Sequence, residues 1–241
     1  MSSRKFRAYG VPFSIDGPDS IELPVGTQVS SEGVGVGLHF QMRTEGKGRV
    51  LYLDGQRIGR PYRRHETFLR HAARKVEFQI ALRAPDLVFV HAGVVEWSGL
   101  GWLLPGSSRA GKSTLVDALL RAGATYYSDE FALIDEHGLV HPYPRPLKLR
   151  NGTPTAAAKL ADKPLVVDRV LVTEFEPGAA WQPVSLSPSE VCVQLMAHTL
   201  TARRHPGRAM AFLARLAQGA RGFQSLRGEV VETVERLKDL T

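Results

Sequence analysis

The chain has 241 residues, 43% hydrophobic and 23% charged, and a formal net charge of +7. That length buries a full core unaided, and the single cysteine, Cys192, excludes an intrachain disulfide framework and a four-cysteine zinc site. No stretch approaches the roughly 20 apolar residues of a membrane span.

Residues 1–33 are rich in Gly, Pro, Ser and Asp and read as short strands joined by loops. Val34–Met42 and Arg49–Asp54 read as a hairpin through the turn at Glu45–Gly48. Tyr62–Arg83 reads as a helix, with Phe68, Leu69, Ala72, Ala73, Val76 and Ile80 at helical spacing between Pro61 and Pro85. Leu87–Trp97 is a strand, Ser98–Gly101 a turn, and Trp102–Leu104 a short apolar strand entering a glycine loop. A helix over Ser113–Arg121 stops at Gly123. Thr125–Asp135 reads as one strand, with Asp129 and Glu130 in its middle. A buried strand is expected within Pro164–Phe175. The last third is mostly helical, over Ser189–Thr201, Gly207–Gln218 and Glu229–Leu240, with a short strand at Gly222–Leu226. No linker divides the chain, so the expected organisation is a β-rich extension over 1–60 and an α/β domain over 61–241, forming one compact unit.

The positive charge invites nucleic acid or other anions, such as nucleotide phosphates and acidic peptides. The arginines are dispersed, in local groups at 60–64, 145–150 and 203–208, without zinc-finger spacing or an aromatic RNA-binding signature. Nucleic acid is therefore not an expected partner. The opening MSSRKFRAYG lacks the apolar run of a signal peptide, and a cytoplasmic protein that does not engage the membrane is expected.

The glycine loop is the sharpest signal. Gly106, Ser107, Ser108, Arg109, Ala110, Gly111, Lys112, Ser113 and Thr114 satisfy G-x-x-x-x-G-K-[ST] at every defined position. Such a loop turns its backbone N–H groups inward as an anion site. Gly111 allows close approach of the backbone, Lys112 carries charge to the β- and γ-phosphates, and Ser113 offers a hydroxyl oxygen to Mg²⁺, a hard ion. The helix that follows presents its positive end to the phosphates. An apolar strand before the loop and the amphipathic Leu115, Val116, Leu119 and Leu120 after it give the motif its required context. These nine residues are expected to bind a nucleoside triphosphate with Mg²⁺.

Asp129 and Glu130 follow on the next strand. At a strand end both can reach a shared metal and substrate, one holding Mg²⁺ while the other orients or deprotonates an attacking hydroxyl. His91, ending Leu-Val-Phe-Val, is by itself an ordinary strand histidine.

Taken together, His91 to Asp135 (HAGVVEWSGLGWLLPGSSRAGKSTLVDALLRAGATYYSDEFALID) resembles the catalytic domain of the HPr kinase/phosphorylase family, which is structurally related to phosphoenolpyruvate carboxykinase. The resemblance implies an α/β P-loop kinase of that type, here with an N-terminal β extension, using ATP and Mg²⁺. It implies that His91 lies near the transferred phosphoryl group, that Lys112 and Ser113 bind phosphate and metal, that Asp129 is the base toward a serine hydroxyl, and that Glu130 is a metal or substrate ligand. A weaker continuation through Pro144–Leu149 and Gly222–Arg227 makes Arg145, Lys148 and Arg227 candidate phosphate or acceptor contacts. The chain departs from the family in carrying Arg109 where a further glycine usually stands, in its Asp-Glu rather than Asp-Asp pair, and in lacking the glycine-containing segment tied to the reverse reaction. Kinase rather than phosphorylase chemistry is therefore implied. In size and content the chain resembles stand-alone relatives that phosphorylate a serine of a lasso-peptide precursor, and the family resemblance also implies a homo-oligomer. The expected acceptor is a serine of a peptide or small protein; a small-molecule kinase with the same site and a nucleotide-dependent regulatory module are the alternatives.

Overall fold

The computed structural model describes residues 3–18, 20–30, 37–107, 110–147, 149, 159–202 and 204–241. Contacts divide the chain into two compact units, Met1–Asp86 and Leu87–Thr241. Among the described residues no helix is long and apolar enough to cross a membrane.

The N-terminal unit is a six-stranded sheet and one helix. Its strands are β1 (Arg4–Ala8), β2 (Val11–Asp16), β3 (Gln28–Val29), β4 (Leu38–Glu45), β5 (Gly48–Leu53) and β6 (Gln56–Arg57), in the order β3-β1-β2-β4-β5-β6. The expected hairpin is β4 and β5, joined across Glu45–Gly48; positions 34–36 of its first strand lie outside the described residues. Alternate residues of β2, namely Val11, Phe13 and Ile15, are buried, as a half-covered strand requires. Helix α1 (His65–Ala81) sets Phe68, Ala72, Ala73, Val76 and Ile80 into the same core as Phe13, Ile15 and Phe40. This packing moves the division from residue 60, where composition put it, to Asp86, because the apolar stripe of α1 completes the core of the sheet before it.

The C-terminal unit is a three-layer α/β arrangement. Its strands are β7 (Val88–Val90), β8 (Ala92–Trp97), β9 (Leu100–Pro105), β10 (Thr125–Ser128), β11 (Ala132–Ile134), β12 (Val140–His141), β13 (Lys159–Leu160), β14 (Arg169–Phe175), β15 (Val184–Leu186) and β16 (Arg221–Arg227). Its helices are α2 (Lys112–Arg121), α3 (Pro188–Ala197), α4 (Pro206–Gly219) and α5 (Val230–Leu237). Seven strands form a mixed sheet, β13-β10-β8-β9-β14-β16-β15, and three form a second sheet, β12-β11-β7. The larger sheet is apolar on both faces. Val94, Leu103 and Val170 share a core with α3 and α4, while Val95, Trp102, Leu104 and Leu171 share one with α2 and α5. Parallel pairs β9–β14 and β14–β16 are covered on both sides, as parallel strands generally are.

Two expected strands are each broken in two. Leu87–Trp97 parts at His91, and Thr125–Asp135 parts at Asp129–Phe131. The cause is the same in both. Strands β8 and β10 pair in the large sheet, while β7 and β11 pair in the small one, so the chain changes sheets at each break. A bulge between Tyr126 and Ser128 adds local twist. His91 and the acidic pair therefore stand at one corner, where the two sheets separate.

Candidate functional site

The β8–β9 hairpin aims the glycine loop. Ser98 and Gly99 both take positive φ, 53° and 74°, the geometry of a tight two-residue hairpin turn. Strand β9 then runs antiparallel to β8, with Pro105 opposite Ala92. The Gly106 N–H donates to the His91 carbonyl at 3.3 Å, which ties the start of the loop to the sheet corner. Gly111 caps α2 at φ 84°, in the left-handed region that favours glycine. Ser108 and Arg109 lie outside the described residues, as does Lys148. Ala110 is buried, while Ser107 and Thr114 are exposed.

Lys112 folds back over the loop. Its Nζ donates to the carbonyls of Gly106 at 2.8 Å and Ser107 at 2.7 Å, and lies 3.4 Å from His91 Nε2. Burial lowers the Lys112 pKa to about 8, against an opposing pull from Asp129; the two carbonyl acceptors favour the ammonium form. His91 Nδ1 is 2.7 Å from the Glu130 carbonyl. A carbonyl only accepts, so Nδ1 carries the proton and Nε2 offers its lone pair to Lys112. Burial, then the Lys112 charge, holds the His91 pKa below its ordinary value, so the neutral tautomer persists.

Ser128, the last residue of β10, shapes the acidic turn. Its Oγ accepts from the N–H groups of Glu130 and Phe131 at 3.2 and 3.1 Å, a local side-chain turn that competes with the strand ladder. Asp129 then meets Ser113, whose Oγ donates to Asp129 Oδ2 at 3.0 Å. Tyr126 OH lies 3.0 Å from Asp129 Oδ1 and 2.8 Å from the Arg145 carbonyl, its one proton shared between the two acceptors. Burial raises the Asp129 pKa, and the Ser113 and Tyr126 hydrogen bonds restrain the rise. Glu130 turns to Arg145, with Nη1 3.3 Å from Oε2 and the Glu130 side chain one-third exposed (33%).

The corner thus gathers His91, Lys112, Ser113, Asp129, Glu130 and Arg145. Arg227 occupies a different position. It is 2% exposed, and its Nη2 donates to the Gly111 carbonyl at 3.0 Å and Nη1 to the Gly228 carbonyl at 3.3 Å. Those two bonds tie the guanidinium to the end of the loop. Sequence reading missed two contributors. Tyr126 orients Asp129, and its aromatic character gave no sign of that. His198, at the end of α3, accepts the His91 N–H through its carbonyl at 2.8 Å. The turn built by Ser128 did have a signal, a serine two and three residues ahead of the N–H groups it caps.

The oxygen donors fit a small hard cation. Two cis ligands on an octahedral Mg²⁺ at its usual bond length stand about 2.9 Å apart, close to the 3.0 Å between Ser113 Oγ and Asp129 Oδ2. Among the described residues no cluster of three or more His, Cys, Asp or Glu could hold a metal by itself.

No family model matches the chain, and no curated protein matches it. Among solved structures, the HPr(Ser) kinase/phosphatase from Coxiella burnetii is similar, with a TM-score of 0.31 and 14% identity, covering 63% of this chain and 96% of that one. Agreement that loose carries no weight about function; the class that the fold itself defines is mixed α/β.

Proposed function

We propose that the protein is an ATP- and Mg²⁺-dependent kinase that transfers the γ-phosphoryl group to a serine hydroxyl of a peptide or small protein. The observation that carries this reading is the 3.0 Å contact of Ser113 with Asp129 beside Lys112, at the head of the helix that follows the glycine loop. Loop amides and the α2 N-terminus favour the phosphates, and Lys112, already at the loop mouth, bears charge toward them. Ser113 and Asp129 would hold the Mg²⁺, whose chemistry is to neutralise charge on the β- and γ-oxygens.

The geometry favours exchanging the two carboxylate roles that the family resemblance implies. Asp129, not Glu130, adjoins Ser113, and burial raises its pKa. Glu130 keeps a third of its side chain open to solvent, from which an acceptor must arrive. Glu130 therefore orients the incoming hydroxyl and accepts its proton late, as a loose phosphoryl-transfer transition state asks. Arg145, paired with Glu130, steadies that carboxylate. His91, neutral and donating from Nδ1, positions Lys112 through Nε2.

Incubation with γ-labelled ATP, Mg²⁺ and serine peptides tests the reading. Label on serine supports it; release of free phosphate alone, with every acceptor, would leave only a slow hydrolase.

A further inference from the structure

The N-terminal unit carries positive charge that its own fold leaves unmatched. Between positions 57 and 75 the sequence has seven cations and one carboxylate, Glu66. Arg57 pairs with Glu45 at 3.2 Å. The other six, Arg60, Arg63, Arg64, Arg70, Arg74 and Lys75, are exposed, and among the described residues none is in an ion pair.

Four of these cations, Arg60, Arg70, Arg74 and Lys75, come from two elements and gather around His71. The rings of Tyr62 and His71 stack at 4.5 Å and 12°, tying the segment before α1 to the helix. The Arg60 guanidinium lies over the Tyr62 ring at 5.2 Å. A Cβ on Gly59 would stand 3.2 Å from Lys75 Cε, so the loop and the third turn of the helix are in touch there. His71 is held below its ordinary pKa by burial, then by Arg70, Arg74, Arg60 and Lys75. Like charges gathered this way repel one another, and a bound anion relieves the repulsion.

We propose that this cluster docks an acidic stretch of polypeptide, its carboxylates taken by the arginine forks along α1 and the Arg60 loop. Guanidinium matches carboxylate in a planar two-bond geometry. Nucleic acid fits less well. Single strands are gripped by stacking bases on open aromatic faces, and the Tyr62 ring is already stacked on His71 and covered by Arg60. That the docked polypeptide also bears the acceptor serine rests on the kinase reading; the docking itself does not.

The test is fluorescence anisotropy without nucleotide, using a labelled peptide of alternating Glu and Gly, its Gln-for-Glu counterpart, and single-stranded RNA and duplex DNA of equal charge. The acidic peptide is expected to bind, to weaken with salt, and to lose about tenfold or more in affinity in the triple variant Arg60→Gln, Arg70→Gln, Arg74→Gln, since each exposed pair is worth up to a few-fold. The triple variant should melt at the same temperature and bind ATP unchanged. Equal binding of the Gln peptide, an unaffected triple variant, or tighter binding of either nucleic acid would overturn the proposal. Docking without serine phosphorylation would leave this proposal standing and remove the kinase reading; phosphorylation without docking would do the reverse.

Discussion

Gly111 and Arg227 are 116 positions apart in sequence and in contact in the structure, and a double-mutant cycle measures what that contact does. An added Cβ on Gly111 would stand 2.2 Å from Arg227 Nη2, which forces the guanidinium away. The residue would also sit at φ 84°, costing about 1–2 kcal/mol for a side chain in the left-handed region. A hydrogen bond from a charged donor contributes about 1.5–3 kcal/mol. Gly111→Ala should therefore cost both terms, about 2.5–5 kcal/mol. Arg227→Met keeps a long, flexible side chain but no donor, and should cost about 1.5–3 kcal/mol. In the double variant the bond is already gone, so adding Ala at 111 costs only the backbone strain. The expected coupling is about 1.5–3 kcal/mol. Urea unfolding followed by tryptophan fluorescence reads this unit alone, because Trp97, Trp102 and Trp181 all lie within Leu87–Thr241. Additive costs, within about 0.5 kcal/mol, would refute the claim that Arg227 acts by holding the Gly111 carbonyl.

Lys112→Ala should lower phosphoryl transfer by at least about 10²-fold, as loss of a preorganised charge donor does, with far-UV circular dichroism retained; undiminished turnover would sink the kinase reading. With a Lys112 pKa of about 8, roughly half of its ammonium is deprotonated at pH 8 before nucleotide is added, and bound phosphate draws the proton back. Calorimetry at that pH in buffers of different ionisation enthalpy should show proton uptake on ATP binding, absent in Lys112→Ala; release of protons would contradict the placement of Lys112. Asp129→Asn should weaken Mg²⁺-dependent nucleotide binding, while Glu130→Gln should cut turnover about 10²–10⁴-fold with affinity kept; the opposite pattern would return the base to Asp129. Phosphorylated product given Mg²⁺ and excess inorganic phosphate should stay phosphorylated, and recovery of free serine with pyrophosphate would show reverse chemistry.

The strand and helix on either side of the glycine loop were legible because an apolar run precedes it and an amphipathic one follows it. Helix α1 was legible for a similar reason, as Phe68, Ala72, Val76 and Ile80 recur with the helical period. The sheet corner was not. Alternation along Thr125–Ile134 has the same period in either sheet, so nothing local says that β10 pairs β8 while β11 pairs β7. That hidden change of sheet is what frees Asp129 and Glu130 from the opposite-face rule of a single strand. Arg227 could be named from sequence but not aimed, since its target lies on another strand–helix junction. Composition placed the first boundary at 60 because the β-rich character ends there; whether the next helix belongs to the core before it or after it is a matter of packing.

The site keeps opposite charges close without letting them neutralise each other. Lys112 binds two loop carbonyls and faces a neutral imidazole. Asp129 accepts from two hydroxyls. Burial pushes each toward its uncharged form, Lys112 down and Asp129 up, so both are short of counter-charge. A direct Lys112–Asp129 ion pair would have ended that shortage and would then have to be broken for a ligand to enter, at the cost of uncovering two buried charges. Hydroxyls and carbonyls hold the same side chains in place and give way more cheaply, since a neutral hydrogen bond is worth less than one between charged partners. On the kinase reading, a nucleotide with its cation supplies what each lacks, negative charge beside Lys112 and positive charge beside Asp129. The site is then prepared for a ligand that carries both signs at the Ser113–Asp129 spacing, and a simple anion or a bare divalent cation satisfies only half of it.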